Sequence, residues 1–192
     1  MYKLCKSEQS AARQRQLELG LLEMMSAKRY EEITVSELCD HLNIPRKSFY
    51  RYFSSKDGAL HALIDHTMLN YECFNSVYTS GERRTPEREL QQFFLFWMEH
   101  KSLLDALAKS GMSGTLVERA MCYSTGTIAS SRFLQDETLF ARQQVMLFCI
   151  SGLMSMVLTW HHDGYPQSAE QMATIAARLV TQPLFPNLQS FF

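Results

Sequence analysis

Residues 34–56 read Thr34-Val35-Ser36-Glu37-Leu38-Cys39-Asp40-His41-Leu42-Asn43-Ile44-Pro45-Arg46-Lys47-Ser48-Phe49-Tyr50-Arg51-Tyr52-Phe53-Ser54-Ser55-Lys56. The first four form a capping box: the Thr34 hydroxyl accepts from the Glu37 backbone N–H while the Glu37 carboxylate reaches back to the Thr34 N–H. A helix therefore begins at Val35. It lasts only to about Leu42, because Asn43 tolerates a left-handed turn and Pro45 cannot donate a backbone hydrogen bond inside a continuing helix. The second helix, Arg46 to about Phe53, buries Phe49 and Phe53 at i and i+4 and turns Arg46, Lys47, Tyr50 and Arg51 outward. Two short helices joined by a tight turn, about residues 34–53, are the helix-turn-helix pattern.

Arg46, Lys47, Arg51 and Lys56 fall here with no acid between Asn43 and Ser55, whereas the whole chain of 192 residues has a formal net charge of −1. Charge alone suits a solvated face equally well. A compact positive patch on a short capped helix, anchored by two phenylalanines, suits a major groove ~12 Å wide, where its side chains reach phosphates and base edges. Tyrosine hydroxyls and helix N-termini donate to phosphate oxygens too. Double-stranded DNA is the partner this patch points to, and the near-neutral balance confines the contact to it.

Outward from this stretch the periodicity stays helical. Ala12, Leu17, Leu21, Met24 and Met25 mark a preceding helix, and Leu60, Leu63, Ile64, Met68, Tyr71 and Phe74 a long one from about Asp57 to Tyr78. The polar run Thr79 to Arg84 ends at Thr85-Pro86-Glu87, an N-cap with proline at the first helical position. Apolar spacing then passes through Leu90, Phe93, Phe94, Trp97 and Met98 and through Leu103, Leu104 and Leu107 to a break at Ser110-Gly111. A further helix is predicted from about Thr115 to Arg132, and a very apolar one from about Glu137 to His162, ended by Gly164 and Pro166. Ser168-Ala169-Glu170-Gln171 caps the last helix, and the tail from Gln182 is expected to be irregular. Nothing alternates with period two, so the fold class is all-α: a three-helix domain over 1–56 and a helical domain over 57–192.

Several function classes drop out. Cys5, Cys39, Cys73, Cys122 and Cys149 are odd in number and contain no Cys-x-x-Cys pair, which argues against a disulfide framework or zinc knuckle and for free thiols in a reducing cytoplasm. The N-terminus does not read as a signal peptide. Val145 to Trp160 is nearly all apolar but falls short of the ~20 residues of a membrane span and carries Ser151, Gly152, Ser155 and Thr159, so it reads as a core and interface helix. No nucleophile elbow, phosphate loop or His-Glu-x-x-His is present, so neither enzyme activity nor a cofactor is expected. His100, His161 and His162 lack metal-ligand spacing, and no metal site is assigned.

The segments Tyr30 to Leu38 and Ser48 to Asp57 resemble the tetracycline-repressor (TetR) family of transcription regulators, strongly over about residues 8–66 and only in helix pattern beyond. The resemblance implies that Thr34, Tyr50 and Lys56 contact phosphates, and that Arg46, Lys47, Ser48 and Tyr52 read or approach bases. The chain departs from the family pattern in having Arg29 and Asn43 where glycine is usual, Pro45 where a serine usually caps the recognition helix, and Lys47 where a small residue is frequent. The operator sequence therefore does not transfer from any relative.

Val145 to Trp160 has more apolar surface than one core can hide, and Ser151, Gly152 and Ser155 permit close approach of another helix. The resemblance implies a homodimer through a four-helix bundle of the last two helices, with Val145, Ser151, Gly152, Ser155, Met172, Ile175 and Leu179 at the interface. Two recognition helices would then meet an inverted-repeat operator at a separation related to the ~34 Å DNA repeat. It also implies a pocket for a small apolar or amphipathic effector, with Phe93, Phe94, Trp97, Met98, Met112, Met121, Tyr123 and Phe148 as candidates, although such a stripe equally forms plain core. A repressor released by its effector is one expectation; a co-activator working through a protein partner is the other.

Overall fold

The computed structural model describes residues 2, 7–78, 85–127 and 138–181, with side chains omitted at 72–78, 124–127 and 180–181. Among the described residues there are nine α-helices: α1 (Glu8–Ala27), α2 (Val35–His41), α3 (Arg46–Tyr52), α4 (Lys56–Tyr78), α5 (Pro86–Glu99), α6 (Lys101–Lys109), α7 (Ser113–Thr127), α8 (Leu139–His162) and α9 (Ala169–Thr181), with a 3-10 turn at Tyr30–Glu32. The fold is all-α, as its periodicity predicts. Thr79 to Arg84, the predicted end of α7 beyond Thr127 and the tail from Gln182 lie outside the described residues.

The helix boundaries follow from local chemistry. Ser7, Thr85 and Thr138 cap α1, α5 and α8 by accepting from backbone N–H groups of the first turn,. Asn43 takes φ 50° between α2 and α3, the left-handed conformation that a short polar side chain tolerates, while Ile44 N–H closes the turn on the Cys39 carbonyl at 2.9 Å. Gly20 is needed for a different reason. A Cβ there would stand 2.8 Å from the Leu42 methyls, so glycine lets the end of α2 lie directly on α1.

Leu17, Leu21, Met25, Ile33, Leu38, Phe49, Phe53, Leu60 and Ile64 are almost wholly buried and join α1–α3 to the first turns of α4. This core continues through Phe94, Trp97, Leu104, Leu116, Val157 and Trp160 into the second half of the chain. At roughly 1.5–3 kcal/mol per fully buried large side chain, it is the main force holding α1–α3 to α4. Between the halves, α6 reaches back to α1: Lys109 Nζ donates to the Ser26 and Ala27 carbonyls at 2.9 and 2.8 Å. Beside it, the buried Tyr30 N–H donates to Ser110 Oγ at 2.9 Å. The two Lys109 bonds satisfy carbonyls that the end of α1 leaves without helical partners,.

In α8, Met154, Val157 and Trp160 enter the core, and the helix packs on α7 while α9 packs on α5. α8 is long and apolar enough to cross a membrane by length and composition alone, and most of that stretch is not buried within the single chain. His161 is not the solvated helix end that its position suggests: its Nε2 lies 2.7 Å from Asp105 Oδ1 of α6.

Candidate nucleic-acid interface and cavity

The capping box of α2 is complete. Thr34 Oγ1 accepts from Glu37 N–H at 3.1 Å and Thr34 N–H donates to Glu37 Oε2 at 2.8 Å. Glu37 also accepts from Lys28 Nζ at 2.9 Å, tying α2 to the end of α1. Chiefly the Lys28 bond, then those from Thr34, hold the Glu37 carboxyl down at about 2. A carboxylate lowered in the folded state contributes stability above its usual range near 4.5 and loses it as the pH falls towards 2,. An acid titration followed by circular dichroism should show helix loss in that window, and Glu37→Gln should remove this component.

α3 begins without a side-chain cap because Pro45 stands at its N-cap. Phe49 and Phe53, ring centroids 5.3 Å apart, seat it on the core. Opposite them Arg46, Lys47, Tyr50 and Arg51 are exposed and Ser48 is half-buried; the longest-reaching contact among them is Arg46 Nη2 to Tyr50 Oη at 3.5 Å. An exposed row of two guanidinium groups, an ammonium and a phenol on a helix held rigidly from behind can donate to phosphates and guanine edges together.

Two predicted contact residues are placed differently. Tyr52 is buried at 8% exposure beside Phe53, so it supports α3 from the core rather than approaching bases; an aromatic at that spacing, followed by Phe53, satisfies either reading. Lys56 has its Nζ 2.6 Å from the Tyr30 carbonyl and 2.5 Å from that of Ile33, and 4.1 Å from the Tyr30 ring centroid. Burial lowers its pKa. Two of its three donors close the loop before α2,. The Tyr30 hydroxyl donates to Asp57 at 2.5 Å, completing a clasp that sequence reasoning missed, since nothing in the spacing of Tyr30, Lys56 and Ser110 marks them as neighbours.

In the second half, α4, α5, α7 and α8 line a half-open cavity of about 440 Å³ walled largely by aromatic, methionine and aliphatic side chains. Of the predicted lining residues, Phe93, Trp97 and Tyr123 face it, together with Met68, Tyr71 and Phe96. The others do not. Phe94 is fully buried against Trp160, with centroids 5.5 Å apart; Met98 and Phe148 are 41% and 70% exposed; Met112 and Met121 are absent from the wall. Phe94, Met98, Met121 and Phe148 sit on other sides of their helices, and Met112 lies in the connection between α6 and α7, a distinction that hydrophobic content alone does not make.

The outer face of α8 and α9 carries Phe140, Phe148, Val145, Ile175 and Leu179 at 71, 70, 43, 45 and 44% exposure. Gly152 and Ser155 are exposed on the same stretch and Ser151 half-exposed, bordering a shallow groove with Gln144, Leu147 and Phe148. Met172 departs from the predicted interface set: it is 7% exposed and points into the core with Ala173 and Ala176. Among the described residues no group of three or more His, Cys, Asp or Glu is arranged to hold a metal.

Comparison with known proteins agrees with these features. Residues 21–63, spanning the end of α1 to α4, match the family described as bacterial regulatory proteins, tetR family. No curated protein matches the sequence. Among solved structures, a TetR-family transcriptional regulator from Syntrophomonas wolfei is 13% identical with a TM-score of 0.64, covering 92% of this chain and 99% of its own. The TetR family repressor AlkX from Dietzia, implicated in biodegradation of n-alkanes, is 13% identical at 0.57, covering 92% and 95%. The regulator FadR from Bacillus subtilis, solved with stearoyl-CoA, is 15% identical at 0.52, covering 86% and 96%. These likenesses establish the fold.

Proposed function

We propose that this chain, a TetR-family regulator by its matched N-terminal segment and its fold, binds an inverted-repeat operator as a homodimer and leaves it when a small molecule fills the cavity of the second half. Residues 1–56 form the DNA-reading domain and 57–192 the dimerisation and effector domain. Repression is the favoured mode and the cytoplasm the compartment. The observation that carries the reading is the exposed cationic face of α3, built on a helix that is fixed by its own buried phenylalanines.

Phosphate contacts fall to Tyr50, Arg51 and the remaining donor of Lys56, with the exposed Thr34 at the N-terminus of α2 beside them. Arg46, Lys47 and Ser48 reach towards base edges. The dimer forms on the outer face of α8 and α9, where large exposed apolar side chains flank the small residues that allow close helix approach. Pairing there sets two α3 helices at a fixed separation, which converts one weak contact into a paired one. The apolar, half-open cavity of the second half supports a small-molecule effector as the signal: a ligand that binds one state of the dimer better shifts the population towards it.

Enrichment of genomic fragments on the purified protein tests the DNA reading. The retained fragments should share an inverted repeat with half-sites about one helical turn apart; retained fragments with no common element would contradict it. Phe148→Glu places a carboxylate in the apolar face and is expected to convert the dimer into a monomer in sedimentation, with thermal stability of the single chain unchanged.

A further inference from the structure

Tyr2 stands before α1 in the chain, yet its contacts lie with residues far along it. It is half-buried against the core. Its backbone forms an antiparallel bridge with Phe53, the residue that ends α3 and whose N–H donates to the Phe49 carbonyl at 3.1 Å. Its ring meets the His66 ring edge-on, with centroids 5.7 Å apart, and its hydroxyl donates to Asp65 Oδ2 at 2.7 Å. Asp65 and His66 are neighbours on α4, and from them the contacts diverge. Asp65 also accepts from Arg119 of α7, while His66 Nδ1 lies 3.0 Å from both carboxylate oxygens of the buried Glu18 of α1.

The place matters because the connection from Phe53 to Ser55 joins α3 to α4, and its backbone sets the angle at which α3 is presented. Phe49 and Phe53 seat α3 from behind by burial, which is strong but non-directional. Hydrogen bonds are directional. The bridge at Phe53 and the hydroxyl bond to Asp65 therefore define the rotation that burial leaves loose. The acceptor is a carboxylate oriented from its other side by the Arg119 guanidinium, and bonds to charged acceptors are the stronger kind. Burial first, then the bond to Asp65 and its charge, push the Tyr2 phenol up to about 12, so it stays a donor at neutral pH. Because Tyr2 and Arg119 share one carboxylate, the end of α3 is tied through a single residue to a helix of the second half.

Resting on the DNA reading above, we infer that Tyr2 is a positioning residue for recognition: it pins the α3–α4 connection to the Asp65–Arg119 joint, so fixing the angle of α3, and touches no DNA itself. Its side chain acts through Asp65 and its main chain through Phe53. Loss of the hydroxyl alone loosens α3 and spares the core, since the ring still packs against His66. The hydroxyl and Asp65 act as a unit, so that once Asp65 is gone the hydroxyl has no further effect on α3.

Tyr2→Phe in the full-length protein deletes only the hydroxyl. Amide hydrogen exchange read by mass spectrometry should speed up at least about fivefold over residues 49–55 while α5 and α9 keep their rates, and Tm should shift by no more than about 2 °C. Affinity for a DNA fragment recovered by enrichment should fall roughly three- to tenfold, with the salt slope unchanged because no phosphate contact is lost. In the Asp65→Ala background the same substitution should alter neither exchange nor affinity. Unchanged exchange over 49–55, exchange that speeds up equally everywhere, unchanged affinity, a reduced salt slope, or effects that add to those of Asp65→Ala would overturn the inference. If the unaltered protein binds no fragment more tightly than random DNA, the DNA reading fails, and with it the role in recognition; exchange over 49–55 then decides separately whether Tyr2 fixes α3.

Discussion

Replacing both Arg46 and Lys47 by alanine is expected to weaken operator binding about a thousandfold at physiological salt while leaving the fold intact. The two side chains are exposed, and Arg46 Nη2 makes only a long 3.5 Å contact to Tyr50 Oη on the same helix. Their removal takes nothing from the core. Each lost phosphate or base contact costs about 1–3 kcal/mol. A subunit that loses roughly 2 kcal/mol, counted twice in a dimer, gives roughly 4 kcal/mol, or about three decades in affinity. The salt dependence separates the roles: the slope of log K against log salt should fall by roughly 1 for every phosphate contact removed, and stay unchanged for a residue that reads a base. Anisotropy titrations of both single variants at several salt concentrations check this, with unaltered circular dichroism as the control.

The second large effect concerns the join between the two halves. Asp65, at 6% exposure on α4, accepts from Arg119 Nε of α7 at 2.8 Å, from the same guanidinium through Nη2, and from the Tyr2 hydroxyl at 2.7 Å. Asp65→Ala leaves the guanidinium facing a partly buried gap. Breaking a buried pair costs about 3–5 kcal/mol, and Arg119, whose side chain is 25% exposed, recovers part of this in water. A loss of about 3 kcal/mol remains, or roughly 6–12 °C in Tm for a chain of this size. The pair Asp65→Ala with Arg119→Leu should be more stable than Asp65→Ala alone, because it removes the stranded charge. There is a functional side as well. Arg119 is followed by Ala120, and Tyr123 is one turn further on; both line the cavity. The ion pair thus connects a wall of the cavity to the helix that carries the DNA-reading core, and variants at Asp65 are expected to respond less to effector than their residual DNA affinity would imply.

Much of this was legible in the sequence, and the reason differs by element. The capping box at Thr34, the turn at Asn43 and the paired Phe49 and Phe53 are local signals, read within a few residues, and the structure realises each of them. The all-α class follows from periodicity over much of the chain. What the sequence withheld depends on contacts between residues far apart. Tyr52 could be turned outward or inward, and only the packing of Phe53 and α4 decides it. Lys56 reads as a groove cation until the Tyr30 and Ile33 carbonyls are placed beside it. The same limit explains the cavity: Phe93, Trp97 and Tyr123 face it, Phe94 and Met98 do not, and their hydropathy is alike. Met68, Tyr71, Phe96 and the cavity's one described charge, Glu89, come from helices whose relative rotation no local pattern encodes. Met172 was misplaced for a related reason, since α9 is amphipathic and its buried face is fixed by α5.

Two α3 helices, paired in the dimer, are expected to read DNA together. A fluorescence-anisotropy titration of the purified protein against a fragment recovered by enrichment, at two salt concentrations and beside random DNA of equal length, tests it most directly. Two chains per fragment, affinity that falls steeply with salt, and binding at least about a thousandfold tighter than to random DNA are expected. Affinity equal to that for random DNA at both salt concentrations would contradict it.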